Sequence, residues 1–170
     1  MDFLTELYFK ESERRERLDE VPARLIPALA LVAAVYTFYL RNFDPDATWL
    51  TWLLALSLAA TGLLALLALL WIGRASVGYG YAFLPHPTEF ESYAESLRQF
   101  YAARGLAEEG LASEISESLR QRLIEATTVN SKNNNQRSEL FYNAKRFLVG
   151  LAASTLVSGI PVLLQLWRKI

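Results

Sequence analysis

Residues 48–73 run for twenty-six positions without a charged side chain, and their Leu-Ala-Leu-Leu texture offers water no polar face. A helix needs about 20 such residues to cross a bilayer, because every backbone N–H and C=O must be satisfied inside the segment. Two further uncharged runs accompany it, sixteen residues at 25–40 and twenty-one at 147–167. The latter is long enough by itself, whereas the former spans only if residues 21–24 join it or it lies tilted in a thin bilayer. The apolar fraction of 52% is therefore gathered into three blocks and not spread over one water-soluble core. The expected fold class is an all-α integral membrane protein: three transmembrane helices and a cytoplasmic helical hairpin, the last cytoplasmic helix continuous with the third span.

Four segments follow from this division. Residues 1–22 place Phe3, Leu4, Leu7 and Tyr8 on one face ahead of a mixed-charge run, which suits a cytoplasmic interfacial helix. Residues 23–73 form a transmembrane hairpin with spans at about 23–40 and 48–73, joined by an Asn-, Asp- and Pro-containing turn at 41–47. Trp49, Trp52 and Trp71 mark the ends of the second span, where indoles favour the headgroup zone. Along that span Ser57, Thr61 and Ala65 recur every four residues, a spacing that permits close helix contact. Residues 74–146 are the cytoplasmic linker and hairpin, and 147–167 the third span. Five Lys and Arg precede the first span and nine lie in 74–146, against one in the 41–47 turn and two at the C-terminal end. That asymmetry puts the N-terminus and residues 74–146 in the cytoplasm of a multi-pass membrane protein. The seven acids and five bases of residues 1–24 disfavour a cleavable signal peptide.

Within 74–146, the aromatic, Gly- and Pro-containing stretch 75–87 reads as a linker or a short extended piece. Helical spacing returns at 88–104, with Phe90, Tyr93, Ala94, Leu97, Phe100 and Tyr101 on one face and Gly105 as the stop. A long helix then starts near Gly110, with Ser113 available as a cap, and continues through the third span. Steps of four and three from Leu119 give Leu123, Ala126, Asn130, Asn133, Arg137, Leu140, Ala144 and Phe147, the seam of a packed helix. This seam is apolar at both ends and polar in the middle. Charge divides there too: residues 87–117 carry seven acids and two bases, and 118–146 six bases and two acids.

The polar middle supplies the candidate ligand-binding residues, Asn130, Lys132, Asn133, Asn134 and Arg137. Amides that donate and accept, beside a planar guanidinium, suit phosphates and base edges when several copies surround an axis. The competing expectation is that seam asparagines fix register and subunit number by bonding their symmetry mates. Gly150, Ser154, Ser158 and Pro161 in the third span suit either close helix packing or the lining of a pore. An enzyme is not expected. The chain has no cysteine and a single histidine, His86, between Pro85 and Pro87. This excludes thiolate nucleophiles and two-histidine metal sites within one chain, and no Gly-rich phosphate loop followed by Lys is present. No cofactor is expected. The spans also lack interior carboxylates, which disfavours ion-coupled transport.

With its charged N-terminal arm, three spans, cytoplasmic hairpin and the Asn130–Arg137 stretch before the last span, the chain resembles small membrane effectors of bacterial anti-phage defence systems. The resemblance implies an oligomeric effector that opens or damages the inner membrane, and the continuous last helix adds the expectation of a homo-oligomeric channel, a tetramer or similar ring, gated through its cytoplasmic helices. It also implies a nucleotide or oligonucleotide signal made by a soluble partner, with membrane lipid as the surrounding partner. The alternative expectation is a non-conducting anchor or assembly factor that docks a soluble protein on the acidic arm.

Overall fold

In the computed structural model, residues 2–43, 48–106 and 108–168 are described. Four residues of the expected 41–47 turn, and Lys169, lie outside them. Among the described residues the chain is all helical, with no strand: α1 Asp2–Asp19, α2 Val21–Asn42, α3 Thr48–Ser76, α4 Pro87–Arg104 and α5 Glu108–Arg168. Three stretches are long and apolar enough to cross a membrane, within Phe3–Asn42, Trp49–Ser76 and Gly110–Trp167.

The helix boundaries have local causes. Between α1 and α2 only Glu20 interrupts, and its backbone stays right-handed (φ −79°, ψ −19°). Pro22 sits in the first turn of α2, where a missing N–H costs nothing. The helix also continues through Pro27, whose missing bond would have gone to the carbonyl of residue 23, in that same first turn. Two residues after α3 ends, Gly78 adopts φ +91°, which a residue with a Cβ rarely does. Residues 79–86 then run without helix to Pro87. α4 stops at Gly105 (φ +63°), whose N–H bonds the Ala102 carbonyl while the Leu106 N–H bonds that of Tyr101. This paired closure satisfies two carbonyls left over at the helix end. α5 begins at Glu108, ahead of the Gly110–Ser113 start expected from sequence, and runs 61 residues through Pro161.

The chain divides into two compact units. One is Met1–Glu16 with Tyr79–Asn135, the other Arg17–Gly78 with Gln136–Ile170. The borders of these units fall at 16/17, 78/79 and 135/136, beside the 22/23, 73/74 and 146/147 at which the sequence divides membrane from aqueous segments.

In the first unit Tyr8, Leu123 and Ala126 are buried together, with Leu4, Ala82, Leu84 and Leu119 packed around them. Where the sequence suggested that the apolar face of residues 1–22 lies on a membrane surface, Leu4 and Tyr8 pack here on α5. Phe3 and Phe9 stay exposed. In the second unit Leu25, Ile72, Ala75, Phe141 and Ala144 form the buried cluster, joining the start of α2, the end of α3 and the middle of α5.

One stripe of α5 is buried throughout: Leu123, Ala126, Asn130, Asn134, Arg137, Phe141 and Ala144, then Leu151, Thr155, Ser158, Val162 and Gln165. The steps of three and four persist. From Asn134 onward, however, the stripe passes through Asn134 and Phe141 and not through Asn133 and Leu140 as the sequence seam had it. Both lines pass through Asn130, Arg137 and Ala144, and only the order of the three- and four-residue steps between those points is reversed.

Candidate functional site: an asparagine clasp and a hydroxyl circuit

In the first unit the polar middle of α5 grips the extended segment that follows α3. Asn130 is 3% exposed, and its amide meets one peptide group on both sides: Oδ1 accepts from the Ala82 N–H at 2.9 Å, and Nδ2 donates to the Ala82 carbonyl at 2.9 Å. A side-chain amide thus stands in for a neighbouring strand. One turn on, Asn133 Nδ2 donates to the Gly80 carbonyl at 2.7 Å. Fully buried Asn134 accepts from the Tyr81 hydroxyl at 2.8 Å and donates to both the carbonyl and the carboxylate of Glu11, each at 2.8 Å. The Arg15 guanidinium lies 4.5 Å from the Tyr81 ring centre and 5.2 Å from that of Phe83, a cation–π contact on each. Ala82 and Leu84 also pack on the Tyr8, Leu123 and Ala126 cluster, so residues 80–84 are held by both apolar contacts and these asparagines.

The five expected ligand-binding residues are therefore not gathered at one surface. Asn130, Asn133 and Asn134 turn to residues 80–82 and Glu11 of the same chain, and Lys132 is exposed to solvent. Arg137 belongs to the second unit, where it is 3% exposed. There its Nε donates to the Ala75 carbonyl at 2.9 Å, and its Nη2 meets the Asp19 carboxylate at 2.7 Å.

Near the start of α5 the surface is acidic and hydroxylic. Tyr101 donates to the Glu114 carboxylate at 2.6 Å, and this bond to an existing negative charge raises the phenol above its ordinary pKa. Arg120 holds Glu117 by two bonds of 2.7 Å. With Gln121 also donating, the Glu117 carboxyl is lowered below its ordinary pKa. Glu117 is exposed and Tyr101 half-buried at the surface, so the shifts report local bonding.

In the second unit, four hydroxyls converge inside the apolar windows of the helices. Tyr36 Oη lies 2.5 Å from Thr61 Oγ1 and 2.5 Å from Ser158 Oγ, and Thr61 Oγ1 lies 2.8 Å from Ser154 Oγ. Ser158 donates to the Ser154 carbonyl at 2.6 Å. Its proton being used there, Tyr36 must donate to Ser158, Thr61 to Tyr36, and Ser154 to Thr61. Every hydroxyl then donates once, in a chain whose members polarise one another.

Of the four residues expected to pack or line a pore, Ser154 and Ser158 are thus bonded to α2 and α3, and Pro161 is buried. A Cβ at Gly150 would find only Leu64, at 3.8 Å, so nothing there requires a glycine. Close approach occurs at Gly159 instead, where a Cβ would stand 2.7 Å from the Tyr39 hydroxyl. Sequence reasoning missed Tyr36 as a functional residue. Its signal was a phenol in the interior of an apolar run, away from the interfacial positions that tyrosine favours.

Replacing Tyr36 by Phe should lower stability by about 1 kcal/mol, since interhelical hydrogen bonds in membranes seldom contribute more. The checking measurement is unfolding of the detergent-solubilised protein, and an unchanged midpoint would show that the circuit carries no stability.

Compared with protein-family models, with curated proteins and with solved structures, the chain matches none. No group of three or more His, Cys, Asp or Glu converges as a metal site among the described residues.

Proposed function

We propose that this protein is a homo-oligomeric membrane effector that permeabilises the bacterial inner membrane, with its third span, the membrane half of α5, as the moving element. The carrying observation is the hydroxyl circuit. A passive anchor needs no polar contact between its spans, whereas here α2, α3 and α5 meet through Tyr36, Thr61, Ser154 and Ser158, and α5 buries Thr155 and Gln165 on the same stripe. Polar side chains in a span cost desolvation unless partnered, and partnered ones mark helices with more to do than span. In the resting protomer the four hydroxyls satisfy one another. Parting α2 and α3 from α5 would break the bonds between the hydroxyls and leave them to bond water, which gives a polar lining without any intramembrane charge.

The nucleotide-signal reading takes second place to this. A ligand on Asn130 and Asn133 must first displace residues 80–82, and Arg137 is held by Asp19 and Ala75. The docking alternative also has an observation in its favour. A recess of about 590 Å³ lies between the end of α4 and the start of α5, lined by Arg98, Tyr101, Leu106, Leu111 and Ile115 among others, with Phe100 of the aromatic α4 face 45% exposed.

Ion flux from liposomes containing the purified chain is the deciding measurement. Conductance is expected, with altered open probability in the Tyr36→Phe variant. A stoichiometric soluble partner in a pull-down, with liposomes staying tight under every lipid condition, would establish the anchor reading instead.

A further inference from the structure

The buried cluster of the second unit sets the ends of three helices at one level: Leu25 near the start of α2, Ile72 and Ala75 at the end of α3, and Phe141 and Ala144 where α5 approaches its apolar run. Exposed cations flank that level on every helix. They are Arg17 and Arg24 before and within α2's first turns, Arg74 on α3, and Lys145 and Arg146 on α5. Each of these side chains is exposed although next to the buried cluster in sequence, so the cations form a solvent-facing belt at that level. The acids among them are Asp19, which holds Arg137, Glu20, which holds Arg24 at 2.6 Å with both side chains largely exposed, and Glu139. The belt therefore keeps a positive excess. At the opposite ends of the spans the sequence places Arg41, Arg168 and Lys169 with Asp44 and Asp46.

Two features fit this belt to headgroups. The Arg74 guanidinium stands 5.4 Å from the Trp71 ring centre, which places a cation and an interfacial indole together at the end of a span. On α5, Asn143, Arg146 and Phe147 line a recess of about 270 Å³ at the start of the apolar run. It offers a charged donor, an amide and an aromatic wall, which suit a phosphodiester and the first methylenes of its chains.

We infer that this belt is a docking surface for anionic phospholipid headgroups, so that the second unit recruits a shell of acidic lipid around itself. The inference rests on the spans lying in a bilayer but not on conductance, so a protein that conducts nothing would leave it standing.

The test uses the full chain in nanodiscs of phosphatidylcholine containing a minor fraction of phosphatidylglycerol, counting retained lipids by native mass spectrometry. Phosphatidylglycerol is expected to be retained severalfold over its share of the disc. Removing a cation near a membrane surface weakens anionic-lipid attraction about fivefold, so Lys145→Gln with Arg146→Gln should remove most of that excess and bring retention down towards the lipid's share of the disc, while Arg120→Gln on the first unit should not. Inorganic phosphate added to pure phosphatidylcholine discs should not raise the thermal midpoint, as it would if a free anion were the ligand. Retention in proportion to disc composition, or equal retention by the double variant, would overturn the inference.

Discussion

Asn130→Leu is expected to release residues 80–84 from α5 and to lower stability by about 3 kcal/mol. Two hydrogen bonds to Ala82 disappear, each contributing about 1 kcal/mol net, and the Ala82 N–H and C=O are left half-buried against an apolar side chain. Asn130→Asp should be no milder. Its carboxylate still accepts from the Ala82 N–H, but it sets a negative oxygen against the Ala82 carbonyl where the amide had a donor. Asn133→Ala removes one bond at a half-exposed site, so about 1 kcal/mol or less is expected. Thermal unfolding in detergent reads the magnitude, and hydrogen exchange of the Ala82 amide reads the location. An asparagine that set subunit number through a symmetry mate would behave in the opposite way, with leucine raising stability and altering the oligomer. That result would remove the clasp from the account of α5.

Much of the fold follows from patterns visible in the chain. Uncharged runs at 25–40, 48–73 and 147–167 dictate apolar helices because backbone groups in such runs bond only within their own segment. Gly105 after an amphipathic stretch with Arg104 in its last turn reads directly as a helix stop.

The clasp was not legible in the same way. Asn130, Asn133 and Asn134 stood out as polar residues on a buried stripe, but their partners are backbone atoms of residues 80 and 82, the Tyr81 hydroxyl and Glu11. Nothing in the composition of 79–84 announces which amide will face it, because backbone N–H and C=O are the same in every sequence. A peptide-shaped side chain in a helix seam is the one hint that an extended segment lies alongside.

The hydroxyl circuit was half legible. Ser154, Ser158 and Thr61 appeared as small residues at four-residue spacing, a pattern that signals close approach but not hydrogen bonding. Tyr36 supplies the link between them, and only the tertiary fold brings a residue of the first apolar run to two helices at once. The stripe itself was placed one residue off at Asn133 and Leu140, since periodicity fixes a face to within one helical step and packing chooses the step.

Arg137→Met is expected to lower stability by about 2 to 3 kcal/mol. The guanidinium sits where α3 ends, donating to the carbonyl of Ala75, one of the last four that the helix cannot satisfy itself. Its charge also complements the negative end of that helix. On its other side it holds Asp19 at 2.7 Å, with the Phe141 ring centre 5.9 Å away. Breaking a fully buried ion pair typically costs about 3 to 5 kcal/mol, because the remaining partner is stranded without water. Here the Asp19 side chain is 53% exposed and can rehydrate, so the loss should fall short of that range. Arg137→Lys should recover only part of it, since one ammonium cannot serve a carbonyl and a carboxylate in the directions that a planar fork reaches. Asp19→Asn keeps an acceptor oxygen and should lose under 1 kcal/mol. A double-mutant cycle between Asp19→Asn and Arg137→Met then separates the pair from the contribution of the Ala75 carbonyl. If Arg137→Met left unfolding unchanged while abolishing a nucleotide response, the guanidinium would belong to a ligand and not to the junction of α1, α3 and α5. The two outcomes are opposed because a side chain buried to this degree cannot be withdrawn from Ala75 and Asp19 without the fold registering the loss.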